Sequence, residues 1–429
     1  MKYLPINPEL FINNRKNFLK MMKPNSIAIF CSNDEMPRNG DQFFPFRQNS
    51  DLFYLSGIDQ EKTMLLLAPD CPNPKYREIL FVIETNELMA IWYGHKYTKE
   101  EATATSGIKT VMWLDQFDTI LSEVLSTTEN VYLNTNENIR FSSDVPYREL
   151  RFANELKTKY PVHNYLRSAP ILANLRTTKS PVEIELIRKA CEITETAFRR
   201  VLSFVKPGVM EYEIEAEITH EFIRNRATCH SYSPIIASGK NACVLHYPFN
   251  NQMCKDGDLV LFDIGAEYAN YAADLSRTIP VNGKFTQRQK DCYNAVLRVM
   301  KQAIKKLVVG NTIDAYHSET CKLLEEEMIK LGLFTKEDVK KQDPEKPLYF
   351  KYYMHGTSHF MGLDVHDVGS KQEPLRAGML FSCEPGLYIL EEGIGIRIEN
   401  DILITENGPV DLMATIPIEV EEIESLMAK

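Results

Sequence analysis

The chain has 429 residues; at roughly 150 residues per domain that is enough for two or three domains, which excludes a small stapled scaffold. With 44% hydrophobic and 25% charged residues it has the composition of an ordinary globular protein and not of a collagen or a disordered tail. The 49 Lys and Arg against 59 Asp and Glu leave a net charge of −10, which argues against a phosphate-binding surface and against nucleic acid as a partner.

At the start, Met1 to Met22 mixes Pro5, Asn7, Glu9 and Arg15 into its apolar residues, so no export signal is expected. Apolar runs such as Thr63 to Ala68 and Leu259 to Phe262 fall far short of the roughly 18 residues that cross a bilayer, so no membrane span is expected. The 9 cysteines are scattered from Cys31 to Cys383 without a C-x-x-C pair, which fits a reduced, cytoplasmic protein.

From residue 25 to about 165, the runs Ser26 to Cys31, Met64 to Ala68, Glu78 to Ile83 and Asn130 to Leu133 alternate with the helix-compatible stretches Lys99 to Thr105 and Gln116 to Ser126. This pattern predicts an α/β domain. Ser180-Pro181-Val182-Glu183 combines a capping serine, a proline suited to the first helical position and a glutamate able to bond back. A helix therefore starts there, with Ile187, Ala190, Ile193, Ala197 and Val201 on one apolar stripe and Pro207-Gly208 at its end. The domain boundary is placed near residue 175. Beyond it, the helical stretches Tyr212 to Arg224 and Gln287 to Val308 are separated by strand-like runs from Tyr232 onward, which predicts an α+β half with hairpins. Its two helix-then-hairpin passages are compatible with an internal duplication that the sequence leaves open.

Asp263 interrupts the apolar run Leu259 to Ile264, and a buried carboxylate needs a compensating charge. Asp274 follows, so a hairpin centred between Tyr268 and Ala269 sets the two aspartates opposite each other on one face. Tyr-Ala is not a favoured tight-turn pair, and a longer even-numbered loop about the same centre serves equally. Glu384 and Glu399 share a midpoint between Glu391 and Glu392, next to Gly393 and Gly395, with Arg397 on the face of Glu399 and Pro385 marking a bulge or strand end. Taken singly, each carboxylate reads as a solvated edge residue or half of a salt bridge. Two hairpin-matched pairs in buried-looking strands point to convergence.

Between the pairs lies a histidine cluster, His355, His359 and His366, in a segment running to Asp367. It is not an H-E-x-x-H helix, because no glutamate follows His355 and Gly356 and Thr357 weaken a helix. Four carboxylates with one imidazole balance two divalent cations, and a mostly oxygen donor set suits manganese or cobalt better than a thiolate site suits zinc. Two such ions can share a water, lower its pKa toward about 7 and polarise a carbonyl, which points to hydrolysis.

In order and local context, Asp263, Asp274, His359, Glu384 and Glu399 resemble the five metal ligands of the pita-bread metallopeptidases, and within them the Xaa-Pro aminopeptidase (aminopeptidase P) group. The matching text includes Ser238 to Tyr247, His355 to Asp367, Glu384-Pro385-Gly386 and Gly393 to Glu399, while Phe46 to Gly57 resembles the N-terminal domain shared with prolidase and creatinase. The resemblance implies an α+β protein: a pita-bread catalytic domain over residues 176–429, preceded by a creatinase-type α/β domain over residues 1–175. It implies two divalent ions, Mn2+ first with Co2+ or Zn2+ as alternatives. Asp274 and Glu399 would bridge the ions, Asp263 would hold one, and His359 with Glu384 the other, Glu384 doubling as a proton shuttle. His246, His355 and His366 would line the substrate site and donate to the carbonyl oxygen. Arg397 and Tyr232 match further site positions, Arg397 contacting a carboxylate, with packing and ion pairing as their competing role. Phe360 stands where the family usually has Trp.

The implied reaction is release of the N-terminal residue from peptides with proline in second position. Asp263, with Tyr232 alongside, is the candidate to hold the free amine. The N-terminal domain would close one side of the cleft within its own subunit or across an interface of a homo-oligomer, a dimer or tetramer. Trp92 is the candidate wall, with core or interface packing as the alternative. Prolidase is the runner-up. Methionine aminopeptidase lacks a creatinase-type domain, creatinase lacks the full ligand set, and a catalytically dead binding module has no need of every ligand. Of the remaining residues, His95, His163, His220, His230 and His317 read as surface or packing, Glu419 to Glu424 as a solvated helix face, and Cys383 as packing.

Overall fold

The computed structural model describes residues 2–428 and divides into two compact units, one of Tyr3–Arg176 and the other of Lys2 with the chain from Thr177 onward. In the first unit, Ser26–Cys31 pairs antiparallel with Met64–Leu67 and parallel with Asn130–Leu133. The sheet extends outward to Glu78–Val82 and Thr110–Trp113 on one side and to Asn164–Arg167 on the other. Every residue of Ser26–Cys31 and Met64–Leu67 is buried, because helices cover both sheet faces; such strands are continuously apolar rather than alternating. On one face Val124 of the helix Phe117–Leu125 and Leu156 of Arg148–Lys159 join Ile27, Ile29, Leu66 and Phe81 in one core. On the other, Phe18 of the helix Glu9–Met21 meets Phe30 edge-on, ring centroids 5.4 Å apart. The short helix Glu87–Tyr93 buries none of its side chains and leaves Trp92 76% exposed, which removes core packing from the roles open to that residue.

The second unit begins with the helix Pro181–Phe204, closed by a reciprocal cap. Ser180 Oγ accepts the Glu183 N–H, and Glu183 Oε2 accepts the Ser180 N–H at 2.8 Å. Ile187, Ala190, Ile193, Ala197 and Val201 form its buried stripe. The helix Glu211–Arg224 follows, then the hairpin of Leu259–Ile264 and Leu275–Pro280. The same order then repeats: the helices Gln287–Ile304 and Ile313–Lys330, then the paired strands Leu380–Cys383 and Asn400–Thr405. Among the described residues no helix is long and apolar enough to cross a membrane.

The first hairpin departs from the expected register. Asp263 pairs with Ser276 and Tyr268 with Tyr271, so the tip is Ala269-Asn270, one residue later than expected. Both tip residues have positive φ, 52° and 64°, the requirement of a two-residue type I′ turn. The two aspartates are therefore not directly opposite but diagonal neighbours, a spacing that still keeps them within reach of each other. In the second hairpin the pairs Gly386 with Arg397 and Cys383 with Asn400 set Glu384 across from Glu399. Pro385 falls where the strand breaks between Leu380–Cys383 and Gly386–Ile389. The hairpins lie side by side: the Glu399 N–H donates to Ser276 O at 3.1 Å, and the buried Arg277 guanidinium donates to Glu399 O at 2.8 Å and Asn400 Oδ1 at 2.7 Å.

The acidic C-terminal stretch is not wholly a solvated face. Glu424, in the helix Val420–Met427, is buried, accepts the Phe285 N–H at 3.0 Å and pairs with Lys290.

Candidate metal and substrate site

Paired side by side, the two hairpins deliver their carboxylates to one place. Ligand atoms of Asp274, His359 and Glu399 all lie within 4.8 Å of one another. His359 Nε2 is 3.3 Å from Asp274 Oδ2 and 3.7 Å from Glu384 Oε1, while its Nδ1 is 3.1 Å from Phe360 O. An Nδ1–H donated to that carbonyl turns Nε2 toward the carboxylates, where loss of its proton would free the lone pair a metal ligand needs. Asp263 Oδ2 is held by Arg397 Nη2, Tyr232 donates its hydroxyl to Asp274 Oδ1 at 2.6 Å, and Ser276 donates to Glu399 Oε2 at 2.7 Å.

Burial and mutual repulsion make this cluster costly as it stands. Burial pushes Glu399 well above the usual carboxylate range, with Asp274 and Glu384 adding to it. Burial likewise raises Glu384 to about 7 against the opposing pull of His359 and Arg397, and raises Asp263 despite Arg397. For His359 burial acts downward, but the hydrogen bond to Asp274 and the charge of Glu384 outweigh it and raise the imidazole. One arginine and one histidine do not balance four converging carboxylates, and divalent cations do. The donors fit hard or borderline ions: carboxylate oxygens and a single imidazole, with the nearby thiol of Cys383 buried and bonded by Tyr316 at 3.2 Å.

Around the carboxylates stand the other expected residues. His355 Nδ1 is 2.8 Å from Gly356 O and its Nε2 2.8 Å from Tyr388 Oη, which also accepts from Arg397 Nη1 at 3.0 Å. An oxygen that accepts from arginine donates its own proton onward, so His355 is neutral with its proton on Nδ1; burial and the Arg397 charge lower it to about 3. His366 is exposed and sets its ring nearly perpendicular to that of His359, centroids 4.5 Å apart. His246 is also exposed. Trp92 belongs to the other unit.

Several contributors escaped sequence reasoning. Tyr388 joins His355 to Arg397, and its even spacing from Glu384 along the hairpin was the available signal. Ser276 joins Arg397 to Glu399. His317 is more than a packing residue: its Nδ1 lies 2.8 Å from Thr357 Oγ1, which accepts from Tyr353 Oη at 2.9 Å, and the Thr357 carbonyl accepts the Glu384 N–H at 3.0 Å. Nothing around His317 in the sequence announced that contact.

The signature of metallopeptidase family M24 matches residues 185–406, just over half of the chain and the whole of the carboxylate cluster. The chain belongs to metallopeptidase family M24. Ahead of the M24 region, residues 11–132 match the aminopeptidase P N-terminal domain. Among M24 relatives, the Xaa-Pro aminopeptidase of Haemophilus influenzae is 37% identical over 98% of this chain and 97% of its own length. The Xaa-Pro aminopeptidase of Escherichia coli is 35% identical over 98% of each. The structure of E. coli aminopeptidase P with the inhibitor Pro-Leu superposes with a TM-score of 0.88 at 33% identity, covering 99% of both chains. The second unit thus has the M24 pita-bread fold, and the protein is a metal-dependent hydrolase of that family.

Proposed function

We propose that this protein is an Xaa-Pro aminopeptidase that uses two divalent ions, manganese first among them, to remove the N-terminal residue from peptides with proline in second position. The observation that carries the reading is the convergence of Asp263, Asp274, Glu384 and Glu399 with His359 in a buried centre of excess negative charge. Divalent ions bound there acidify water and polarise the scissile carbonyl.

The protein's own groups do the rest. Asp274 and Glu399 would hold both ions, Asp263 would hold one, and His359 with Glu384 the other. Glu384 would double as a proton shuttle, taking a proton and returning it to the leaving proline nitrogen. His246 and His366 are exposed, so these imidazoles can donate to an oxygen that gains charge, and His355, held by Gly356 and Tyr388, lines the site beside them. Arg397 orients Asp263 and Tyr388. Asp263 is assigned to the peptide's free amine, and Trp92, on a helix with no buried side chain, to an apolar wall.

The N-terminal domain is assigned to residues 1–175, the catalytic domain to residues 176–429, and the working form to a homo-oligomer. Nine free thiols, most of them buried, support a reducing compartment such as the cytoplasm. The inhibitor on the E. coli relative, Pro-Leu, has the form of the fragment left when the first residue is removed before proline. Xaa-Pro-Yaa tripeptides and Xaa-Pro dipeptides compared with manganese present test the assignment: tripeptide cleavage is expected, and cleavage of dipeptides alone makes the enzyme a prolidase.

A further inference from the structure

Outside the carboxylate centre, the second unit buries another pair of opposite charges. Lys179 Nζ lies 3.2 Å from Asp367 Oδ2, and both side chains are 1% exposed. Charges so fully removed from water are expensive, and well-packed apolar residues serve stability as well or better, so stability alone is a poor reason for the pair.

Its placement supplies another. Lys179 directly precedes Ser180, the cap of the helix Pro181–Phe204, and its N–H donates to Gly378 O at 2.8 Å. Its charge also acts on Glu183, whose Oε1 accepts from Tyr271 Oη at 3.1 Å, at the tip of the hairpin that leads to Asp274. Asp367 directly follows His366, and its N–H donates to Phe360 O at 2.9 Å, closing the loop 360–367. Between the two charges lies Gly362. A Cβ there would stand 2.3 Å from Asp367 Oδ2 and 2.8 Å from Lys179 Cε, so the ion pair rests directly on the glycine's Cα. The Gly362 carbonyl accepts the Ala272 N–H at 2.8 Å, two residues before Asp274. Gly362 thus ties the segment bearing His359 to the hairpin bearing Asp274, and the ion pair presses on that tie.

We propose that Lys179 and Asp367 form a positioning pair that clamps the loop 360–367 through Gly362 and thereby fixes His366 against His359. The inference rests on the proposed peptidase reading for its kinetic consequence, though not for the clamp itself.

Asp367→Asn is the first test, since it removes the acidic half of the pair while Lys179 still faces Glu183. Gly362→Ala is the second: the glycine's φ lies outside the left-handed region, so the added methyl acts by parting the pair and not by straining the backbone. Amide hydrogen exchange on the full-length protein is expected to be about tenfold faster over residues 360–367 and at Ala272 in both variants. The turnover number on an Xaa-Pro-Yaa tripeptide should drop about tenfold, with KM within about twofold and metal content unchanged. Unchanged exchange overturns the clamp. Faster exchange with an unchanged turnover number overturns the positioning of His366. If Asp367→Asn does not fold, Gly362→Ala decides alone. A wild-type protein that cleaves no proline peptide sinks the peptidase reading, while the exchange result still decides the clamp.

Discussion

Asp263 stands across the first hairpin from Ser276, and Ser276 closes a ring around the centre. Its hydroxyl donates to Glu399 Oε2 at 2.7 Å and accepts from Arg397 Nε at 2.8 Å, while the same guanidinium grips Asp263. Two of the carboxylates, Asp263 and Glu399, are thus oriented by the guanidinium and the hydroxyl that stand behind them. This is preorganisation of the ligand shell by its surroundings.

Asp274 meets Tyr232 on one oxygen and His359 on the other. Asp274→Asn is expected to lower both metal content and tripeptide turnover by at least about a hundredfold. Chelation of the wild type should abolish turnover, and manganese should restore it. Elemental analysis beside the assay checks both, and a variant with near-normal rate and metal content refutes the ligand assignment.

His355 and His366 stand beside the centre without being needed to balance its charge. His355→Ala and His366→Ala should keep wild-type metal content while turnover falls on the order of a hundredfold, the usual cost of losing oxyanion or proton-transfer help beside the reacting group. Metal analysis discriminates, since loss of an ion in either variant makes that histidine a ligand.

How much of this was legible depended on what sets each turn. In the second hairpin, Gly393 at φ 66° closes the loop and the pairing of Gly386 with Arg397 carries Glu384 opposite Glu399, as the midpoint between Glu391 and Glu392 implies. The first hairpin turns on Ala269, a residue that local preference keeps out of the left-handed region, so its register slipped by one from the expected centre. Helix starts were legible because caps are local: Ser180 and Glu183 sit three residues apart. The links from His317 to Thr357 and from Ser276 to Glu399 join distant segments through tertiary packing, and no local pattern encodes them.

The first hairpin also depends on a missing side chain. A Cβ on Gly265 would lie 1.8 Å from the carbonyl oxygen of Ala273, a backbone atom that cannot swing away. Gly265→Ala should therefore cost about 1–3 kcal/mol of stability and displace Asp274 next door. A lower thermal midpoint together with weaker metal retention is the expected pair of results, and a variant with wild-type values for both shows that the strands can part without consequence.

In the first unit the buried Glu149 provides a pH signature. Burial, aided by the charge of Asp51, raises it from 4.5 to about 8, although Asn134 donates to it at 2.8 Å. Because the folded state holds this proton more tightly than the unfolded chain, the stabilisation is complete below about pH 4.5 and is lost as pH rises through about 8. Urea unfolding of the wild type should show falling stability from pH 5 to pH 8, and Glu149→Gln should flatten that slope. A slope untouched by the substitution removes Glu149 as its source.

Specificity is the most demanding test, because metal ions activate water without choosing a peptide. Preference for a free amine before proline has to come from side chains, and Asp263 is the carboxylate assigned to that amine. An N-acetylated Xaa-Pro-Yaa peptide presents no cation to it and should not be cleaved, whereas the free tripeptide should. Trp92 exposes 76% of its surface on a helix that buries nothing, a large apolar area without a stabilising role in its own unit. Trp92→Ala should therefore leave thermal stability and metal content unchanged while raising KM for the tripeptide about tenfold. Equal cleavage of the acetylated and free peptides removes the amine-binding role of Asp263, and an unchanged KM in the tryptophan variant removes Trp92 from the substrate's path.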